Sequence, residues 1–293
     1  MIKAQHLTKT FDGFTALDSL QTEIAPGSIY GLVGSNGSGK STLLRLIAGV
    51  YYPDGGSMQI EGQDVFENIA LKNRIFFLSD DLYFIAKSSV DEMAAFYKSV
   101  FKNFSTKKYQ RLKAVFPIDC SKRIHTFSKG MKRQAAIMLA LCCMPDYLLL
   151  DEAFDGLDPV IRLLVKKLVA DEIADRGMTV MVTSHNLREL EDLCDHVGLL
   201  HKGRILFERE LDDLKLGLCK VQAVFTSEPD WQATGLNIMQ NKRQGSIISL
   251  LVRGPAEETL SVLEAYSPVF VEAVPLTLEE VFIGEMEGVG YDF

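Results

Sequence analysis

With 293 residues, 47% hydrophobic and 24% charged, the chain has the composition of a folded protein, and length for one large domain plus a small one. Its formal net charge of -8 argues against nucleic acid as a partner, because electrostatic binding of a polyanion needs a concentrated basic face. The five cysteines, Cys120, Cys142, Cys143, Cys194 and Cys219, include no C-x-x-C pair and are odd in number, which points to unpaired buried thiols in a reducing compartment.

Met1–His6 reads as a strand and carries no apolar leader. Ser28–Val33 (SIYGLV) reads as a buried strand that runs into a glycine-rich loop and then a helix, Ser41–Ala48. From about Asp81 to Ser128 the character changes to aromatics, lysines and helix formers, with helices expected over Val90–Phe101 and Thr106–Phe116. This predicts a helical subdomain inserted between two core strands. The most apolar run, Ala135–Met144, falls far short of the roughly 20 residues that cross a bilayer, so a cytoplasmic protein is expected. Tyr147–Leu150 and Thr179–Thr183 are further buried strands. Between them Asp158-Pro159 opens a helix, an N-cap followed by proline at the first helical position. Lys202-Gly203, between Val197–His201 and Ile205–Glu208, predicts a hairpin that closes the domain.

After Leu216-Gly217 the balance turns acidic, with eleven Asp/Glu against five Lys/Arg in residues 215–293. Strands are expected at Val221–Phe225, Ile247–Val252 and Val269–Val274, and helices at Ala256–Tyr266 and Leu278–Phe282. The organisation is thus an α/β domain over residues 1–216, with its helical subdomain at about 81–128, and an α+β accessory domain over 217–293 that shows no catalytic constellation.

The segment Gly34-Ser35-Asn36-Gly37-Ser38-Gly39-Lys40-Ser41 fits G-x-x-x-x-G-K-[ST], and it lies between the strand and helix that such a motif requires. Its glycines let successive N–H groups converge on phosphate oxygens, and the following helix adds its positive end, where Thr42 joins the set. Lys40 is expected on the β- and γ-phosphates of ATP and Ser41 on Mg²⁺. A glycine-rich turn with an incidental lysine is the plainer alternative, and the flanking elements weigh against it. Leu148–Leu150 then lead into Asp151 and Glu152 at a strand exit, where α/β ligand sites form. Asp151 is expected to hold Mg²⁺ and Glu152 to polarise the attacking water. A solvated acidic turn is common there, so the pair takes its meaning from the loop upstream. Thr183-Ser184-His185 ends the third strand, and His185 is expected to reach the γ-phosphate and hold the water and Glu152 in place.

Phe127-Ser128-Lys129-Gly130-Met131 opens a helix about twenty residues before the acidic strand and resembles the signature loop of ABC ATPases, usually L-S-G-G-Q. Asp155-Gly156-Leu157-Asp158 resembles their D-loop, and Phe11, with Ala16 nearby, resembles the aromatic that stacks on adenine. The resemblance spans roughly residues 1–215. It implies an ABC ATPase core, a RecA-like parallel sheet plus an antiparallel β-subdomain. It also implies a homodimer packed head to tail, each Mg·ATP lying between one subunit's phosphate loop and the other's Ser128, Lys129, Gly130 and Met131, with Asp155 and Asp158 beside them. Two departures stand out. Lys129 replaces a glycine, and the family's Q-loop glutamine is absent: Asp80 takes its place, with no glutamine between Gln63 and Gln110. A carboxylate can ligate Mg²⁺, so Asp80 is expected to touch the metal or its water, although an uncompensated anion there would slow ATP binding.

Pro275–Phe282 resembles the ending of ABC-2-type exporter ATPases. That implies a separate integral-membrane permease as partner, peripheral attachment to the inner face of the cell membrane, and export of a drug, peptide or lipid-like substrate. The aromatics Phe76, Phe77, Tyr83 and Phe84 are candidates for the permease contact or for core. A non-transport or regulatory ABC ATPase acting on a soluble partner is the alternative.

Overall fold

Three consecutive apolar side chains, Leu148, Leu149 and Leu150, are fully buried, as expected of a strand covered on both faces by other elements. The computed structural model describes residues 1–191, 193–211 and 217–282, and the chain divides into two compact units, Met1–Glu208 and a second that starts at Arg209. The domain boundary expected at 216/217 abuts residues 212–216 and lies outside the described residues.

The first unit is built on a six-stranded sheet. Its strands are β3 (Ile29–Val33), β6 (Ile75–Leu78), β7 (Tyr147–Asp151), β8 (Thr179–Ser184), β9 (His196–His201) and β10 (Arg204–Glu210), in the order β10-β9-β3-β8-β7-β6. β9, β3, β8, β7 and β6 run parallel. β10 is β9's neighbour across the expected Lys202-Gly203 turn. The register pairs Val33 with Ser184 and Asp151 with Thr183, so the ends of β3, β8 and β7 emerge side by side. Three motifs far apart in sequence therefore meet at one edge, the usual place for a ligand in a parallel sheet.

A second, antiparallel sheet joins β1 (Ile2–Phe11), β2 (Phe14–Ile24), β4 (Gly55–Ile60) and β5 (Gln63–Asp64) in the order β2-β1-β4-β5. β1 and β2 close through Asp12-Gly13, both at positive φ (46° and 84°), the two-residue turn that matches strand twist and sets Phe11 opposite Phe14.

Most of the helices start at a side-chain cap. α1 (Lys40–Ile47) begins one residue before the expected Ser41, and α2 (Ile69–Lys72) is capped by Asn68. α3 (Val90–Val100) has a full capping box from Ser89 and Glu92. α4 (Thr106–Lys113) is capped by Ser105, and α5 (Lys129–Cys142) by Ser128. α6 (Pro159–Arg176) starts at the expected Asp158-Pro159 and ends at Gly177, left-handed at φ 66°. The short α7 (Leu187–Glu191) follows β8. All five cysteines are free and buried, and burial pushes the Cys142 thiol up to about 12.

In the second unit β11 (Leu218–Val224), β12 (Asn237–Gln244), β13 (Ile247–Arg253) and β14 (Phe270–Val274) form an antiparallel sheet in the order β12-β13-β11-β14. Its core joins Cys219, Val221, Ile248, Leu250 and Val252 to Leu263 of α8 (Ala256–Glu264). α8 stops two residues before the expected Tyr266, just ahead of Ser267 at φ 53°. Residues 278–282 are helical as expected. β12 has no counterpart in the sequence reading: NIMQNKRQ is polar and sits at the sheet edge, where one exposed side removes the apolar pattern. Among the described residues no helix is long and apolar enough to cross a membrane.

Candidate nucleotide site

β3 ends at Val33 and the chain turns at once through the glycine-rich loop. A Cβ on Gly39, at φ 113°, would lie 2.6 Å from the Ala16 carbonyl, so no other residue fits between the loop and β2. α1 has no side-chain cap and no acid in its first turn, which leaves its N–H groups and positive dipole end for a ligand. Lys40 is buried and donates through Nζ to the carbonyls of Gly34 (2.6 Å) and Ser35 (3.2 Å). The Ser38 hydroxyl is buried with no protein partner among the described residues. An uncapped helix start, a buried ammonium and an orphaned hydroxyl around one loop fit a phosphate chain.

Asp151 stays within β7, 1% exposed, and accepts from the Thr183 hydroxyl at 2.7 Å. Glu152 leaves the strand at φ 49°, a left-handed conformation that costs roughly 1–2 kcal/mol for a residue with a side chain. That turn directs its carboxylate elsewhere than its neighbour's. Glu152 Oε2 lies 2.9 Å from His185 Nδ1 and accepts from the His185 N–H at 3.3 Å; Oε1 lies 3.5 Å from Lys40 Nζ. The acid is thus suspended between the ammonium and the imidazole.

A cavity of about 310 Å³ joins Lys40, Ser41 and Thr42 to Glu152, Asp80 and the loop residues Asn36, Gly37 and Gly39. Phe11, Phe14 and Ala16 form its other wall. Phe11 packs edge-on against Tyr51 at 5.3 Å, while Phe14 is the more exposed ring, 63% against 37%. Phe14 escaped the sequence reading; its signal was the hairpin F-D-G-F, which places two aromatics opposite each other. Asp80 sits in the wall with Oδ1 accepting from Arg133 Nη2 at 2.9 Å. Asp151 is not among the lining residues. Among the described residues no group of three His, Cys, Asp or Glu could hold a metal. A cation here would rest on Ser41, single carboxylates and the nucleotide's own oxygens, a donor set of hard oxygens that fits Mg²⁺.

The signature residues form a different surface. Ser128 accepts from the Met131 N–H at 3.2 Å, and Lys129 Nζ donates to Asp155 Oδ2 at 2.6 Å, a bond that holds the Asp155 carboxyl below its usual range. Gly130 lies against the Gly156 carbonyl, whose oxygen would stand only 2.7 Å from a Cβ placed there. Asp158 Oδ1 accepts from the Ile161 N–H at 3.0 Å and so caps α6. None of Ser128, Lys129, Gly130, Met131, Asp155 or Asp158 lines the cavity of their own chain. All four aromatic candidates line a cleft of about 200 Å³, with Phe76 6% exposed and packed on Tyr97 and Phe101 and Tyr83 81% exposed.

The sequence profile described as ABC transporter matches residues 17–155. The ABC transporter ATP-binding protein YtrB of Bacillus subtilis is 30% identical over 288 residues, which cover 98% of this chain and 99% of that protein. The bacitracin transport ATP-binding protein BcrA of Bacillus licheniformis is 31% identical over 218 residues, 73% of this chain and 71% of BcrA. Among solved structures, the dimeric post-hydrolysis state of the ATP-binding cassette MJ0796 bound to ADP and Pi matches with a TM-score of 0.65 at 20% identity, covering 72% of this chain and 99% of that one; at such identity the likeness is one of fold. With YtrB matched along nearly its whole length and the phosphate loop, acidic strand end and histidine gathered at one sheet edge, this chain belongs to the ATP-binding proteins of ABC transporters and is an ATPase.

Proposed function

We propose that the chain binds Mg·ATP in the cavity beside Lys40 and hydrolyses it between two copies packed head to tail, driving an exporter permease. The observation that carries this reading is the placement of Glu152, 3.5 Å from Lys40 Nζ and 2.9 Å from His185 Nδ1. Lys40 now rests on the carbonyls of its own loop; with the triphosphate bound, its three donors turn to the β- and γ-oxygens. Ser41 and Asp80 would hold Mg²⁺ from the cavity wall, with Asp151 behind them reaching it through water, and the metal would spread the phosphate charge. Glu152 then orients the water that attacks γ-phosphorus as the bond to ADP breaks, and it accepts that water's proton. His185 holds the Glu152 carboxylate in line, and Phe11 and Phe14 offer faces to adenine.

The second copy answers a geometric deficit. Ser128, the Lys129 ammonium and the N–H groups at the start of α5 form an anion cradle that faces no phosphate loop of the same chain. Closing it over a partner's ATP lets both chains neutralise one ligand, so binding favours the closed dimer and hydrolysis opens it. Tyr83, Phe77 and Phe84 supply the apolar contact for the permease, which attaches the chain to the inner face of the membrane. BcrA is named for bacitracin transport; for this chain we infer export of a drug, peptide or lipid-like molecule.

The test is light scattering on Glu152→Gln with saturating ATP. A dimer is expected, dissociating when ATP is removed. A strictly monomeric species at high protein concentration sinks the head-to-tail reading, and copurification with ribosomes instead of a membrane subunit sinks the transport role.

A further inference from the structure

Asp80 is the residue that the sequence leaves hardest to understand, an acid in the wall of a cavity that must take a triphosphate. Its neighbour resolves the difficulty. Arg133, in the second turn of α5, has a side chain only 1% exposed, against 55% for Asp80. Its Nη2 donates to Asp80 Oδ1 at 2.9 Å and its Nη1 to the Asp80 carbonyl at 3.4 Å. Its Nε donates to the carbonyl of Asp155 at 3.4 Å. A buried guanidinium is costly unless each edge is matched, and here all three nitrogens are. The same fork grips both the carboxylate and the backbone of residue 80, so it sets the acid's position as well as its charge.

We propose that Arg133 is a positioning residue for ATP binding: it neutralises Asp80 and fixes that carboxylate against the cavity wall, so that the triphosphate enters beside an ion pair rather than beside a free anion. Arginine suits this task where lysine does not, since only a planar fork reaches a carboxylate, the carbonyl behind it and the Asp155 carbonyl at once. Asp155 in turn pairs with Lys129, so the fork also joins the cavity wall to the signature loop of the same chain. The inference rests on the cavity beside Lys40 being the nucleotide site.

The experiment is equilibrium binding of ATP to the full chain in EDTA at low ionic strength, so that metal ligation by Asp80 does not enter. Arg133→Gln bares the acid and is expected to weaken ATP binding about fivefold. Asp80→Gln leaves the guanidinium in excess and is expected to bind a few-fold tighter. The double variant is expected within about twofold of wild type. Equal affinity of Arg133→Gln and wild type, or a double variant that binds no better than Arg133→Gln, overturns the proposal. Should Arg133→Gln fail to fold, Asp80→Gln decides alone, and unchanged or weaker binding by it overturns the proposal. A Lys40→Ala control separates the two layers: if it binds ATP like wild type, the site itself is misplaced.

Discussion

In the first unit β3 and β7 are buried along their whole length, whereas in the second β11 alternates, hiding Val221 and Ala223 and leaving Lys220 and Gln222 partly open. The difference governs where chemistry can sit. A strand enclosed on both faces can present a functional group only at its end, and there the first unit places the glycine loop, Asp151, Glu152 and His185. An alternating strand has a polar face instead, suited to packing or docking, and among the described residues of the second unit no catalytic set gathers on it. One unit is therefore expected to lose activity without losing its fold, and the other to lose its fold without losing ATP affinity.

The largest effect tests the first half of that contrast. Glu152→Gln removes the proposed proton acceptor while preserving shape and the contact with His185, and is expected to lower ATP turnover about a hundredfold or more. Its melting midpoint should stay within about 2 °C of wild type. A steady-state phosphate-release assay beside a thermal melt reads both; a variant that hydrolyses at the wild-type rate removes Glu152 from the mechanism.

The next effect tests the second half. Leu250 is fully buried in the core formed with Val221, Val252 and Leu263. Leu250→Ala is expected to destabilise that unit by about 2–5 kcal/mol through lost burial and the cavity left behind. Chemical denaturation followed through Trp231, which packs on this core, should show the shift, with ATP affinity unchanged within about twofold. Loss of ATP binding in this variant would mean that the two units are energetically one.

These contrasts also explain what the sequence made legible. The phosphate loop was readable because its chemistry is local: eight consecutive residues carry it, between a strand and a helix that each announce themselves. β7 and β8 were readable because continuous apolar runs leave few other homes. β12 was not, because an edge strand keeps polar residues on its open side. The Asp80–Arg133 pair was invisible for a different reason, since its members lie 53 residues apart and meet only once β6 and α5 pack. The sequence showed an acid where glutamine was expected and no compensation for it. Phe14 was hidden by register, because only the Asp12-Gly13 turn reveals that it faces Phe11.

The smallest effect concerns the joint between the two sheets of the first unit. Glu61, just after β4, accepts from both Nη atoms of Arg74 at 2.8 Å and from the Tyr147 hydroxyl at 2.7 Å; Arg74 Nε reaches Asp146 at 2.5 Å. The Arg74 bonds foremost, then the Tyr147 bond, lower the Glu61 carboxyl from 4.5 to about 2. A carboxyl depressed in the folded state stabilises above its unfolded pKa, and that contribution fades as pH falls from about 4.5 through about 2. Glu61 is 42% and Arg74 37% exposed, so solvent screening holds the contribution to about 1 kcal/mol or less. Urea midpoints at pH 7 and pH 3 for wild type and Glu61→Gln isolate it: the variant should be slightly less stable at pH 7 and lose less on acidification. Equal losses in the two proteins would leave the sheets of the first unit held by apolar packing alone, with the Glu61–Arg74–Asp146 chain a surface ornament of the fold.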